Sequence, residues 1–101
     1  MNTKTLNNNQ KQFLRKLAHS LKPVITIADK GISEALLRET ELTLDHHELI
    51  KVKINAGDRD HKKEIINQLC EKTNALLVQA IGNVAVIYRQ ADTPVITLPG
   101  K

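Results

Sequence analysis

The order of periodic segments in this chain predicts an α/β (α+β) fold with the element order α-β-α-β-α-β-β. Three segments place apolar residues at helical spacing, short β-rich runs separate them, and Gly82-Asn83 forms a two-residue hairpin signal near the end. Helical crossovers between the early strands imply parallel pairing, and the last hairpin adds an antiparallel pair. We therefore predict a mixed four-stranded sheet covered by helices.

The first helix is predicted over residues 10–21, where an apolar stripe is formed by Phe13, Leu14, Leu17, Ala18 and Leu21. Pro23 ends this helix, because the residue before a proline avoids the helical conformation. Residues 24–27 follow as a β-rich run that is short and almost wholly apolar. This composition predicts a buried strand.

The second helix is predicted to begin after Ser33, which is a good N-cap residue, and to end near His46. Glu34 in its first turn interacts favourably with the helix dipole. One face of the helix is mostly acidic and carries Glu34, Arg38, Glu41 and Asp45. We expect this face to be solvated and not to contact a polyanion.

The remaining elements follow from alternation and turn signals. Residues 49–54 alternate, so Ile50, Val52 and Ile54 share one side of a strand whose other side is wet or faces a partner. A third helix is predicted over residues 59–73, then strands over 75–81 and 84–89. The chain is expected to be one domain over residues 1–101, in which residues 90–101 form an irregular extension with a brief extended stretch at 95–98.

Charge is unevenly distributed along the chain, although the net charge is only +4. Residues 1–30 carry six basic residues and one acidic residue, a net charge of +5. Residues 31–48 carry one basic and five acidic residues (−4), and residues 49–63 carry five basic and two acidic residues (+3). This polarity suits a protein with one polyanion-facing side. A solvated surface that happens to be basic would give the same pattern.

Enzyme chemistry and metal binding are not indicated. The four histidines and Cys70 lack metal-ligand spacing, and Cys70 lies on an apolar helical stripe, which favours a buried, inert thiol. Asp58 and Asp60 stand at a predicted helix start, where they are expected to cap the helix. We predict no catalytic activity, no cofactor and no metal. With apolar runs of about four residues and no signal-like segment, the protein is expected in the cytoplasm and away from membranes.

The loop of Ala28, Asp29, Lys30 and Gly31 leads from a strand into the N-terminus of a helix. Backbone N–H groups at such a position, with the helix dipole behind them, can form a phosphate cradle, and Lys30 adds a cation at its rim. An ordinary turn with glycine at positive φ is the alternative interpretation.

Five stretches of the chain resemble the chloroplast RNA splicing and ribosome maturation (CRM) domain family, in particular its stand-alone bacterial members. They are residues 19–24, 31–34, 46–53, 81–89 and 96–99, and the most specific is His-His-Glu-Leu-Ile-Lys-Val-Lys at 46–53. The resemblance implies the same element order, similar to the C-terminal domain of translation initiation factor three. It also implies binding of structured RNA, namely ribosomal RNA in precursors of the large ribosomal subunit.

The family's RNA-contacting Gly-x-x-Gly turn maps onto Ala28–Gly31, where Ala28 replaces the first glycine and is expected to limit how closely an RNA backbone approaches. Only two aromatic residues are present, so recognition should rest on phosphate, ribose and shape. The candidate RNA-binding residues are those of this loop together with Arg15, Lys16, Lys22, Lys51 and Lys53. Whether these groups share one surface is left open by the sequence. The chain is expected to act as a monomer, and the competing hypothesis is a protein-binding adaptor that uses the acidic face of the second helix.

Overall fold

The structure is a computed structural model that describes residues 6–99. It contains three helices, α1 (Asn8–Ala18), α2 (Glu34–His47) and α3 (Arg59–Thr73). Its four strands are β1 (Pro23–Ala28), β2 (Leu49–Asn55), β3 (Leu76–Ile81) and β4 (Val84–Tyr88). The predicted order of elements is confirmed.

The four strands form one mixed sheet in the order β1-β2-β4-β3. β1 and β2 are parallel, and β4 is antiparallel to both of its neighbours, β2 and β3. The hairpin turn at Gly82-Asn83 joins β3 to β4, and Gly82 has a φ of +59°, which glycine adopts without strain. β2 and β3 are consecutive in the chain but are not neighbours in the sheet, because β4 lies between them. The connection through α3 therefore crosses over the position of β4.

Helices cover the two faces of the sheet unequally. On one face, α2 and α3 pack over a core that includes Ile27, Val52 and Ile87. On the other face, α1 places Leu14 and Ala18 against a smaller cluster that also includes the strand residues Leu49, Val78, Val86 and Tyr88. A single helix cannot cover a four-stranded sheet, so part of this second face remains open.

Two local predictions for the start of the chain are wrong. The first helix ends at Ala18 instead of residue 21, and its N-cap is Asn7, whose side chain accepts a hydrogen bond from the Gln10 backbone N–H. β1 is an edge strand in which only Ile25 and Ile27 are buried, whereas Val24 is 51% exposed. The run 24–27 is apolar, but the sheet buries only one of its sides.

Residues 90–98 continue past β4 without forming a strand, so the predicted extended stretch at 95–98 adds no fifth strand. This segment, which we call the C-terminal strap, is tied to the fully buried Glu48. The Glu48 carboxylate accepts backbone N–H bonds from Ala91 (2.7 Å), Val95 (3.0 Å) and Ile96 (2.7 Å). Ile96 and Leu98 of the strap then pack against the cluster beneath α1.

Candidate nucleic-acid interface

The lysines of β2 lie on the open part of the sheet. Side chains alternate along a strand, so Lys51 and Lys53 share the α1 side of the sheet with Leu49, which packs beneath α1. Lys53 pairs in register with Thr26 on β1 and Val84 on β4, and it is exposed. The predicted wet side of this strand is confirmed beyond Leu49, and it presents two lysines whose Cα atoms are about 7 Å apart.

Lys22 joins this group from the segment between α1 and β1. It lines the same surface groove as Lys51, so the two residues border a common space. Lys22 is exposed and Lys51 is half-buried. The segment between α1 and β1 and the middle of β2 therefore contribute cations to one side of the molecule.

The loop of residues 28–31 lies beyond the other end of β2, since Ala28 pairs with Asn55, the last residue of that strand. Gly31 has a φ of +95°, and its N–H donates to the Ala28 carbonyl oxygen at 2.9 Å. The loop is thus a closed turn, and the Gly31 N–H points inward instead of toward a ligand. Exposed Lys30 and the first turn of α2 remain as the groups that could meet a phosphate.

The N-termini of α2 and α3 both lie at this end of the sheet, because each helix follows one of the two parallel strands. His61 in the first turn of α3 donates from Nε2 to the Asp29 carbonyl oxygen at 2.7 Å, and the Asp29 carboxylate is 3.8 Å from the same nitrogen. The loop is therefore anchored to α3. Lys62 next to it donates to the Asn83 side chain at 2.8 Å, which ties α3 to the β3–β4 hairpin.

Arg15 and Lys16 do not join the β2 lysines. Neither lines the groove that Lys22 and Lys51 share. Arg15 and Leu17 are two positions apart on α1, which is about 200° around a helix, so they lie on opposite flanks. Leu17 lines the groove, which places Arg15 on the far flank. Lys16 is about 200° around α1 from the buried Leu14, so it lies on the side of the helix that is turned away from the sheet. The structure thus brings Lys22, Lys51 and Lys53 together and leaves Arg15 and Lys16 on another part of the surface.

The acidic face of α2 is partly neutralised within the chain. Arg89 donates to the Glu41 carboxylate at 2.5 Å and to the Asp45 carboxylate at 2.7 Å. It also binds the Thr73 carbonyl oxygen at the end of α3 at 2.8 Å. Two acidic groups that an adaptor would offer to a partner are therefore used to hold α2, α3 and β4 together, which argues against the adaptor hypothesis.

Other reactive groups lie in structural positions. Burial raises the pKa of the Cys70 thiol to about 11, so the thiolate is scarce at neutral pH. Among residues 6–99 no group of three potential ligands could hold a metal ion. The Tyr88 ring is buried, and Phe13 of α1 is partly buried against the cluster beneath that helix, so neither offers an open surface for base stacking. None of the helices in the described part of the chain is long and apolar enough to cross a membrane.

The pKa of His61 is raised, first by its hydrogen bond to the Asp29 carbonyl and further by the negative charge of Asp29. Because the pKa is raised, the charged imidazole stabilises the loop anchor fully at pH values below 6.5, the ordinary pKa of histidine. This stabilisation is lost as the pH rises through the raised pKa of His61. We predict that an NMR titration places the His61 pKa above 6.5 and that Asp29→Asn lowers it. A His61 pKa at or below 6.5 in the wild-type protein would contradict the anchor.

Two residues that shape this surface were not predicted from the sequence. His61 anchors a loop 32 positions earlier, and the Glu48 carboxylate binds a segment more than 40 positions later. Both depend on contacts between distant segments. The only available signal for Glu48 was its place in the stretch 46–53, which carries the strongest family resemblance.

Fold and site together define a class: an α/β protein with a half-open mixed sheet, a line of lysines on the open side and an anchored turn at a helix N-terminus. A model of the CRS1 / YhbY (CRM) domain family matches residues 6–89. The chain belongs to this family.

Its relatives share most of their length with it. An RNA-binding protein from Haemophilus influenzae is 47% identical over 97 residues, which cover 96% of this chain and 98% of that protein. A probable RNA-binding protein from Pseudomonas aeruginosa is 39% identical over 89 residues, which cover 88% of this chain and 86% of that protein. The solution structure of SAV1595 from Staphylococcus aureus, described as a candidate RNA-binding protein, has a TM-score of 0.80 and 41% identity, with 94% of this chain and all of that one covered.

Proposed function

We propose that this protein binds structured RNA without catalysing a reaction on it. The binding surface, which we call the basic face, comprises Lys22, Lys51, Lys53 and the loop of residues 28–31. The observation that carries the proposal is the pair of lysines on β2, half-buried Lys51 and exposed Lys53, beside Lys22 on the sheet face that α1 leaves open. The names of the relatives from Haemophilus influenzae and Pseudomonas aeruginosa support RNA as the ligand.

Binding through this face would rest on the RNA backbone. Lysine ammonium groups neutralise phosphates, and the N-terminus of α2 adds partial positive charge near Lys30. Because the described residues offer no open aromatic platform, sequence would be read only weakly and the shape of the RNA would matter more.

A salt series tests this mechanism. If about four phosphates are neutralised, the affinity for a structured RNA falls by roughly two decades between 50 and 200 mM salt. Fluorescence anisotropy with a labelled RNA hairpin measures this dependence. An affinity that does not change with salt would rule out a binding mode based on phosphates.

We further propose that the RNA is ribosomal RNA in precursors of the large ribosomal subunit, bound in the cytoplasm by one copy of the chain acting as a single domain. The support is the resemblance to stand-alone bacterial CRM proteins, carried by residues 46–53 above all. Sedimentation of cell extracts on sucrose gradients tests it: the protein should travel with large-subunit precursors. Equal amounts across translating polysomes, or absence from every ribosomal fraction, would contradict it.

A further inference from the structure

An open groove of about 420 Å³ lies between the end of α1, β1 and β2. Its walls are aliphatic and include Leu17, Leu21, Val24 and Ile96. The first three are 39%, 36% and 51% exposed, which makes this one of the places where the protein leaves large apolar side chains in water. Removal of this apolar surface from water would favour a ligand with an apolar part.

The rim of the groove is basic. Lys22 and Lys51 line it from two elements, and His47 at the end of α2 lines it as well. A ligand that fits both features has an apolar part for the walls and a negative charge for the rim. A nucleotide has this composition, because its base is largely apolar on both faces and its phosphate is anionic.

The groove also continues into the basic face. Lys51 lines the groove and Lys53 lies two residues further along the same side of β2, so a chain of phosphates could follow the strand from the groove toward Lys30. A line of cations that extends beyond the groove suits a polyanion better than a small ligand. The cavity volume lies in the range of about 300–1,000 Å³ that is usual for small-molecule sites.

We propose that this groove receives one unpaired nucleobase of the bound RNA, with the flanking phosphates on Lys22 and Lys51. The proposal rests on the proposed RNA-binding function and specifies the kind of RNA that is bound, which is an RNA helix interrupted by a bulged or looped nucleotide. The base is held between aliphatic side chains, which discriminate weakly between the four bases. Unpaired nucleotides would thereby be distinguished from paired ones without aromatic stacking.

The C-terminal strap keeps one wall of the groove in place. Ile96 lines the groove, and its backbone N–H donates to the Glu48 carboxylate at 2.7 Å. Glu48 is therefore a positioning residue for the groove, since its side chain is fully buried and is separated from any ligand by the wall that it holds.

The test compares two RNA hairpins that differ only at one bulged nucleotide, which carries adenine in one RNA and is abasic in the other. Both RNAs have the same phosphates, so a difference in affinity for the full-length protein reports the base alone. We expect the RNA with adenine to bind about fivefold more tightly, which is near the lower limit for stacking of a base on an aromatic side chain and suits the weaker contact with aliphatic walls. Equal affinities would overturn the groove proposal while leaving RNA binding intact, and no binding of either RNA would overturn the proposed function itself.

Variants locate the effect. Leu17→Ser should abolish the preference for the base, whereas Leu77→Ser on β3, a leucine with the same 39% exposure outside the groove, should keep it. Lys30→Glu should weaken the binding of both RNAs by the same factor and keep the preference. If Leu17→Ser unfolds, Val24→Thr gives the same test with little change in shape. A preference that survives in the folded groove variant would place the base elsewhere and refute the proposal.

Discussion

Replacement of both Lys51 and Lys53 by glutamate is expected to weaken the binding of structured RNA by at least about 100-fold at low salt. Each substitution removes a charge-assisted contact, worth about 1.5–3 kcal/mol, and puts a repulsive carboxylate against the phosphates. The slope of log affinity against log salt should also become shallower by about two, because two fewer phosphates are neutralised. α1 covers Leu49 on this side of the sheet, but Lys51 and Lys53 lie outside the cluster that it covers. The free energy of unfolding should therefore change little.

The matched control reverses the same amount of charge on the opposite layer of the molecule. Arg38 on α2 and Lys72 on α3 are exposed, and their helices cover the other face of the sheet. The double variant Arg38→Glu, Lys72→Glu should lose only the small affinity that follows from lower net charge. Equal losses in the two double variants would mean that net charge alone governs binding, and the basic face would have to be abandoned.

Glu48→Ala is expected to lower the free energy of unfolding by about 3 kcal/mol or more. The substitution deprives three backbone N–H groups of the strap of their acceptor, and each hydrogen bond to a charged group contributes roughly 1.5–3 kcal/mol. Without that acceptor, Ile96 and Leu98 also lose their fixed position on the cluster beneath α1. Urea unfolding measures the global effect, and hydrogen exchange at Ala91, Val95 and Ile96 shows whether the strap opens first.

The control for Glu48→Ala is Glu39→Ala, which removes an exposed carboxylate from α2, the helix that Glu48 directly follows. This control should change the free energy of unfolding by less than about 0.5 kcal/mol. Glu48 has a φ of +64°, and alanine at this position bears a similar backbone strain. The difference in stability between the wild-type protein and Glu48→Ala therefore reports the loss of the side chain. Glu48→Gln should fall between wild type and alanine because it keeps one strong acceptor. A Glu48→Ala protein as stable as the Glu39→Ala protein would show that the carboxylate does not hold the strap.

Features that depend on neighbouring residues were predictable from the sequence. Ser33 and Asp58 cap α2 and α3 as expected, each accepting a backbone N–H bond three residues along the chain at 3.1 Å. The alternation in β2 correctly separated the buried Val52 from the exposed Lys53, because one pleated strand has two faces of different polarity. The hairpin at Gly82-Asn83 was likewise a local signal.

Features that depend on tertiary packing could not be predicted from the sequence. Residues 24–27 contain mostly apolar side chains, yet only the order of strands in the sheet decides that β1 is an edge and that Val24 faces water. Leu21 continues the helical spacing of the apolar residues, although α1 ends three residues earlier at Ala18. The end of a helix is set by packing and turn geometry as much as by the apolar stripe.

For the candidate site, the sequence supplied residues but not their arrangement. It could not show that Lys22 and Lys51 border one groove while Arg15 lies on the other flank of α1. It also could not show that the Gly31 N–H closes a turn and so leaves fewer loop groups for a phosphate than an open Gly-x-x-Gly cradle would offer. These facts depend on the distance between segments, which a sequence pattern does not contain.

The central claim, that RNA lies on the basic face, is tested most directly by ultraviolet crosslinking of the full-length protein to a structured RNA, with the crosslinked residues located by mass spectrometry. We predict crosslinks in residues 21–31 and 49–55, which contain Lys22, Lys30, Lys51 and Lys53. Crosslinks confined to the outer faces of α2 and α3, or none at an RNA concentration that saturates binding, would contradict the claim.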